Sequence, residues 1–319
     1  MVFFNLNHLN FILILLCLLI IPSGTNSQEN PVLDSLQPPD GPVLRIIRDS
    51  TRLRVLGSTT IQPIVERASQ VFPGYPAHSF IIEGGGSRLG IDAVMDGAMD
   101  LGMVSRELTD QEKSQLAYTI IGYDALAIIV HSTNPIEKIT RDEIQRLYAG
   151  AKTHWRDNPE NVEVLLISKM TGRGTLSIFE EYSGLRSPFN PSDENADHDH
   201  PKISIKAWEA GANLDSILWV GGLKGAIGFV SALEAYQYIA QGMPIKILNV
   251  DGYYPDIQTI VTGLYPMRRY LKLVYLPENK TAKEFVDFML SEAGQNIVQQ
   301  TGFIPLDFFD DPLINELVP

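Results

Sequence analysis

The sequence holds one cysteine in 319 residues, Cys17, so an intrachain disulfide and a cysteine-built zinc or iron–sulfur site are both excluded. Its first 27 residues contain no lysine, arginine, aspartate or glutamate. Positive charge is scarce throughout: 25 basic against 38 acidic residues give a net charge of -13, which repels nucleic acids and anionic membranes at long range. Any anion bound here must be held by a local site. No apolar run reaches the roughly 20 residues that a membrane-spanning helix needs. There is no dinucleotide fingerprint, no P-loop, no G-x-S-x-G elbow and no fixed-period repeat. What is present is a globular balance, 45% hydrophobic and 20% charged, enough for a sizeable core. At this length two domains are expected.

The longest apolar run, Phe11 to Ile21, is followed by Pro22, Ser23 and the small polar residues Thr25, Asn26 and Ser27. It reads as a signal peptide over residues 1–27, with a retained N-terminal anchor as the alternative. Leu16 stands before Cys17 where a lipoprotein signal needs a small residue, which argues against lipidation. Residues 28–49 are rich in proline and polar side chains and form an expected linker. Beyond it, short β-branched runs (Arg54–Leu56, Phe80–Ile82, Ala125–Val130, Val162–Ile167, Ile245–Val250) alternate with segments of helical period. That pattern is α/β. Ser187 to Pro201 carries Asp197, His198, Asp199 and His200 but no periodicity, and reads as a solvent loop rather than a metal site.

Three places repeat one design: a strand, a turn of Gly, Ser and Thr, then an amphipathic helix. The turns are Gly57-Ser58-Thr59-Thr60, Gly84-Gly85-Gly86-Ser87 and Thr171-Gly172-Arg173-Gly174-Thr175, with Ser87 expected as an N-cap and Thr175 at a helix start. A helix start leaves backbone N–H groups without partners and carries about half a positive charge. Glycine permits close approach, and hydroxyls add donors. A single such turn is most simply a cap; three together suggest a cradle for a small tetrahedral oxyanion. Thr140 with Glu143 reads as a capping box on a surface helix. Asp100 reads as structural, Asp124 as the start of a hinge strand, and Ala282–Met289 with Ile297 and Val298 as core.

The stretches GSTTIQP, EGGGSRLGIDAVMDGAMDLGMVSREL, VTGLYPMRR and TAKEFVDFMLSEAGQNIVQQTGFIPL closely resemble the phosphate-binding proteins of phosphate ABC transporters, from about Leu53 to Leu306. The resemblance implies the two-lobed type II periplasmic-binding-protein fold, α/β in both lobes, joined by two crossover hinge segments at Asp124–Val130 and Lys246–Val250. Lobe 1 is then 50–124 with 251–319, and lobe 2 is 125–250. It also implies a ligand-binding set of Ser58, Thr59, Thr60, Ser87, Ser105, Arg106, Lys169, Arg173, Gly174 and Thr175. Ser105 stands where one branch of the family has an aspartate that accepts the proton of hydrogen phosphate. Lys169 stands where the family has a bidentate arginine, and a lysine supplies a point charge without the planar fork. Arg173 replaces a small serine, and either brings a cation to the anion or points to solvent.

The implied protein is an exported, monomeric, non-enzymatic receptor that captures inorganic phosphate and delivers it to a membrane permease. No cofactor, metal or nucleic acid is expected. The alternatives are a divergent oxyanion or phosphate-ester binding or sensory protein, and a phosphatase.

Overall fold

The computed structural model describes residues 52–73, 79–155, 162–190 and 200–306. The expected signal peptide, the linker and the Asp197–Asp199 segment lie outside the described residues. In chain order the elements begin with β1 (Leu53–Gly57), α1 (Gln62–Ser69), β2 (Phe80–Gly84), α2 (Ser87–Met95), β3 (Leu101–Val104), α3 (Asp110–Gln115) and β4 (Ala117–His131). There follow β5 (Lys138–Ile139), α4 (Arg141–Tyr148), β6 (Leu165–Lys169), α5 (Gly174–Ser183), β7 (Trp208–Ala210), α6 (Asn213–Gly222), β8 (Ala226–Ser231) and α7 (Ala232–Ala240). The last are β9 (Ile245–Ile247), β10 (Asn249–Val250), α8 (Ile257–Val261), β11 (Arg268–Tyr275), α9 (Lys280–Leu290) and α10 (Glu292–Gln300).

One curled sheet runs in the order β2-β1-β3-β11-β4-β8-β6-β7, with β9 also on β4. Its spine is the 15-residue β4. Ala117 to Ala125 pair antiparallel with β11, whereas Leu126 to Val130 pair with β8 and Ile129 to His131 with β9. The sheet therefore has two halves that share a strand and change partners between residues 125 and 126. Strands β3 and β8 and the second half of β4 are buried almost throughout, because helices cover both faces.

The run Ala125–Val130 is thus the second half of a longer strand. Its first half is partly exposed from Ala117 to Ile120 and buried from Ile121 onward except at Tyr123, and it contains Gly122, whose added Cβ would meet the Ile304 carbonyl oxygen at 2.8 Å. Lys246–Val250 does not cross between halves as expected. β9 stays on the end of β4 and β10 pairs with β5; the return is made over 251–267, after which Arg268 pairs with Ala125.

Local chemistry explains the helix ends. Thr140 caps α4: Glu143 N–H donates to its hydroxyl at 3.3 Å, and Thr140 N–H donates to the Glu143 carboxylate at 3.0 Å. A second box, Thr109 with Glu112, starts α3. Such caps are each worth about 1 kcal/mol. Ser87 is not an N-cap but the first helical residue of α2; Gly86, at φ 101°, holds the cap position that a side chain would strain. Asp100 accepts from the Arg54 backbone N–H at 2.9 Å and from its guanidinium at 3.0 Å, a structural role. Ala282, Phe285, Val286, Met289, Ile297 and Val298 are buried as α9 and α10 pack on the first half.

Candidate functional site

The three turns converge. From the first half of the sheet Ser58, Thr59, Thr60 and Gly86, and from the second Lys169, Arg173, Gly174, Thr175, Gly211 and Asn213, surround one narrow chamber of about 10 Å³. That is about the room of one water molecule, far below the roughly 300 Å³ at which pockets for drug-sized molecules begin, so the chamber excludes anything of that size. The two walls touch. Arg88 N–H, in the first turn of α2, donates to the Gly172 carbonyl at 3.1 Å, and Asn213 Nδ2 donates to Thr60 Oγ1 at 3.1 Å.

Backbone donors face the chamber from both sides. The N–H groups of Thr59 and Thr60, before α1, and of Gly174 and Thr175, in the first turn of α5, have no acceptor among the described residues. They are the unpaired donors of two helix starts, and the helix dipoles add partial positive charge at the same point.

Behind this lining Ser87 and Ser105 are fully buried. Ser105 N–H donates to Ser87 Oγ at 3.1 Å, and Ser105 Oγ lies 2.8 Å from Ser58 Oγ. Both support the Gly174 backbone rather than lining the chamber themselves: a Cβ at Gly174 would stand 2.6 Å from Ser87 Oγ and 2.7 Å from Ser105 Oγ. Arg106 is not brought to the chamber. Its guanidinium donates to both Glu112 carboxylate oxygens, at 2.8 and 2.7 Å, and so is spent on α3.

The residue that the sequence reading missed is Arg269. Its side chain is completely buried and donates through Nε (3.0 Å) and Nη2 (2.6 Å) to Oδ2 of the equally buried Asp124. Arg269 also donates to Thr175 Oγ1 at 3.1 Å and to Thr60 Oγ1 at 3.2 Å. One guanidinium thereby ties a hydroxyl from each half of the sheet to the shared strand β4. Thr60 Oγ1 accepts from Arg269 and from Asn213, so its own proton is left to donate outward. The available signal was the Arg268-Arg269 pair at the head of an apolar strand together with Asp124, but their pairing spans 145 positions.

Two further cations line the chamber. Lys169 is 1% exposed, and its ammonium donates to the Ala212 carbonyl at 2.7 Å and Ser216 Oγ at 2.6 Å, leaving a third donor. Burial lowers its pKa to about 7, with Arg173 and Arg269 pushing the same way against the carboxylates of Glu234 and Asp215. Arg173 presents a buried Nη1 with no partner. Burial also lowers its pKa, and Asp215 opposes this. Glu234 accepts from Asn213 Nδ2 at 2.8 Å, and burial raises its pKa to about 7. Among the described residues no group of three or more His, Cys, Asp or Glu side chains could hold a metal ion.

A curled α/β sheet in two halves, with a small donor-lined chamber where the halves meet, defines a solute-binding protein of the type II periplasmic-binding-protein fold. The chain matches the PBP superfamily domain over residues 26–293 and belongs to that superfamily. It is 26% identical over 253 residues to the phosphate-binding protein PstS of Borreliella burgdorferi, covering 78% of this chain and 88% of that protein. To PstS of Bacillus subtilis it is 26% identical over 275 residues, 81% of each. The structure of a phosphate ABC transporter substrate-binding protein from Clostridium perfringens, with bound phosphate, superposes with a TM-score of 0.68 at 27% identity, over 80% of this chain and 99% of that one. A phosphate transport receptor from Vibrio cholerae shares the fold, with a TM-score of 0.62 at 23% identity over 79% of this chain and 99% of that one. These relatives are binding proteins.

Proposed function

We propose that this chain is an extracytoplasmic receptor that captures inorganic phosphate between two lobes and delivers it to an ABC permease, without catalysing a reaction. The lobes are residues 50–124 with 251–319, and 125–250; residues 1–27 direct export. The observation that carries the reading is the pair of helix starts, α1 and α5, whose free N–H groups at Thr59, Thr60, Gly174 and Thr175 face one chamber from opposite sides. Ser58, Thr60 and Thr175 add hydroxyls, and Lys169 and Arg173 add charge. Ser87 and Ser105 brace Ser58 within one wall, and Arg106 is left out of the ligand set because Glu112 occupies it. The relatives named for phosphate support this choice of anion.

Closure follows from the same geometry. Only when both walls meet do donors from both surround the ligand, so an anion binds the closed form better and shifts the population toward it. Among the described residues that line the chamber there is no histidine and no elbow serine, which argues against a phosphatase built on either. Isothermal titration of the mature chain with phosphate should give saturable one-site binding, and no heat with phosphate or any other oxyanion would refute the reading. The chain should also show no turnover of a chromogenic phosphate ester.

The Lys169 charge sets a pH dependence. Below about 7 the ammonium is present and attracts the anion; as pH rises through about 7 it is lost. The phosphate affinity of the natural chain should therefore fall, relative to K169R, as pH is raised through this interval, because a guanidinium stays charged. The ligand's own titration is common to both proteins and cancels in the ratio. Parallel affinity profiles would overturn the assignment.

A further inference from the structure

The charged groups around the chamber balance. Lys169, Arg173 and Arg269 stand against the carboxylates of Asp124, Asp215 and Glu234, and each cation acts on at least one of these. A phosphate dianion adds two negative charges that nothing in this set offsets, and surplus charge out of water is costly. A proton on one carboxylate relieves it. The partners of the three decide which. Asp124 accepts from the Arg269 guanidinium at 3.0 and 2.6 Å, so a proton there would break an ion pair. Asp215 accepts from the Ala212 N–H at 2.7 Å, and both Arg173 and Lys169 act on it. Glu234 has a neutral donor instead, Asn213 Nδ2, at 2.8 Å from Oε1. Its Oε2 has no partner among the described residues, yet it is not one of the unpaired atoms sealed from water, which are Asn134 Nδ2, Arg173 Nη1 and Asn249 Oδ1. A proton from solvent can therefore reach Oε2 while Oε1 goes on accepting from Asn213, whose Nδ2 also donates to Thr60 Oγ1 on the opposite wall at 3.1 Å. Desolvation already raises the Glu234 pKa to about 7; Asp124 pushes the same way, against the Asn213 bond and the charges of Arg269 and Lys169. An arriving anion joins the raising side.

We infer that phosphate capture is coupled to protonation of Glu234: as the anion enters the chamber, a proton from solvent is taken up at Oε2. The inference rests on the reading of the chain as a phosphate receptor. Glu234 is a positioning residue, one hydrogen bond removed from the lining, and acts through its charge and through Asn213. Affinity is thereby tied to pH. Below about 7 the carboxyl is already neutral and capture needs no proton there; above about 7 each capture draws one from solvent, so affinity falls as pH rises.

Titration calorimetry with inorganic phosphate at about pH 7.5, in two buffers of different ionisation enthalpy, counts the protons taken up per phosphate bound. E234Q keeps an oxygen for Asn213 and cannot titrate, so it should take up roughly half a proton fewer than the natural chain. K169R, in which the other titrating group stays charged, should keep that half proton. Phosphate's own protons are common to all three proteins and cancel in the differences. From pH 6 to 8.5 the affinity of E234Q should rise relative to that of the natural chain on the order of 3- to 10-fold. Equal uptake by E234Q and the natural chain overturns the inference and leaves Glu234 a structural role. Should E234Q not fold, the natural chain decides alone: its infrared difference spectrum with and without phosphate should gain a protonated-carboxyl stretch, and a spectrum lacking one overturns the inference. A natural chain that binds no phosphate refutes the receptor reading; one that binds it with no carboxyl protonation refutes only the coupling.

Discussion

Replacing Arg269 with methionine will abolish phosphate binding and destabilise the fold, the largest single effect expected in this molecule. The substitution leaves Asp124, fully buried, as an unpaired carboxylate, and breaking a buried pair from one side costs about 3–5 kcal/mol. For a chain of this size that is a fall in melting temperature on the order of 10 °C. Binding fails for a separate reason. Thr175 loses the arginine donor to its hydroxyl and Thr60 loses one of its two donors, so the two walls lose their common anchor on β4. The two losses can be separated with D124L in the same chain. Removing both charges should restore most of the melting temperature, since a buried ion pair is often no more stabilising than apolar side chains of similar volume. Phosphate binding should not return. Calorimetric melting and titration of both variants check this; a double variant that binds phosphate normally would show that Arg269 only neutralises Asp124.

Changing Gly174 to alanine should produce the opposite separation: binding lost with stability kept. Gly174 is the first residue of α5, where alanine is the better helix former by up to about 1 kcal/mol. Its φ is negative, so an alanine suffers no backbone strain. Yet an added Cβ would lie 2.6 and 2.7 Å from the hydroxyls of Ser87 and Ser105 and 3.0 Å from the Ser105 carbonyl oxygen, all on the opposite wall. Those serines are buried and tied to each other and to Ser58, so they have little room to yield. The walls then cannot meet, and the ligand sees donors from one side at a time. Phosphate affinity should fall on the order of 100-fold, the loss expected when the ligand can no longer favour the closed form. The thermal midpoint without ligand should hold or rise. Small-angle scattering with and without phosphate gives the second readout: the compaction seen in the natural chain should be absent in G174A.

Much of the site was legible because its signals are local. Glycine, serine and threonine between a strand and a helical period declare a helix start within six residues, and the turns at Ser58–Thr60 and Gly174–Thr175 lie on the chamber. The capping box at Thr140 and Glu143 is equally local. What was not legible depends on pairs far apart in the chain. Arg269 meets Asp124 only because β11 lies against β4, and Asn213 meets Thr60 only because the halves of the sheet touch. Arg106 failed in the other direction: its neighbourhood in the S-R-E-L motif gave no warning that Glu112, six positions on, would occupy it. The crossing was misplaced for a related reason, since a β-branched run such as Lys246–Val250 looks the same whether it joins one sheet or bridges two.

The placement of β11 has a temporal consequence. Residues 268–275 lie between β3 and β4, so the first half of the sheet lacks its middle strand until nearly the whole polypeptide has left the ribosome. Until then β3 and the first part of β4 are unpaired edges, the kind of long-range closure that makes folding slow and exposes a nascent chain to holding factors. The same order of assembly keeps the chain threadable for longer than a fold completed from its N-terminus would.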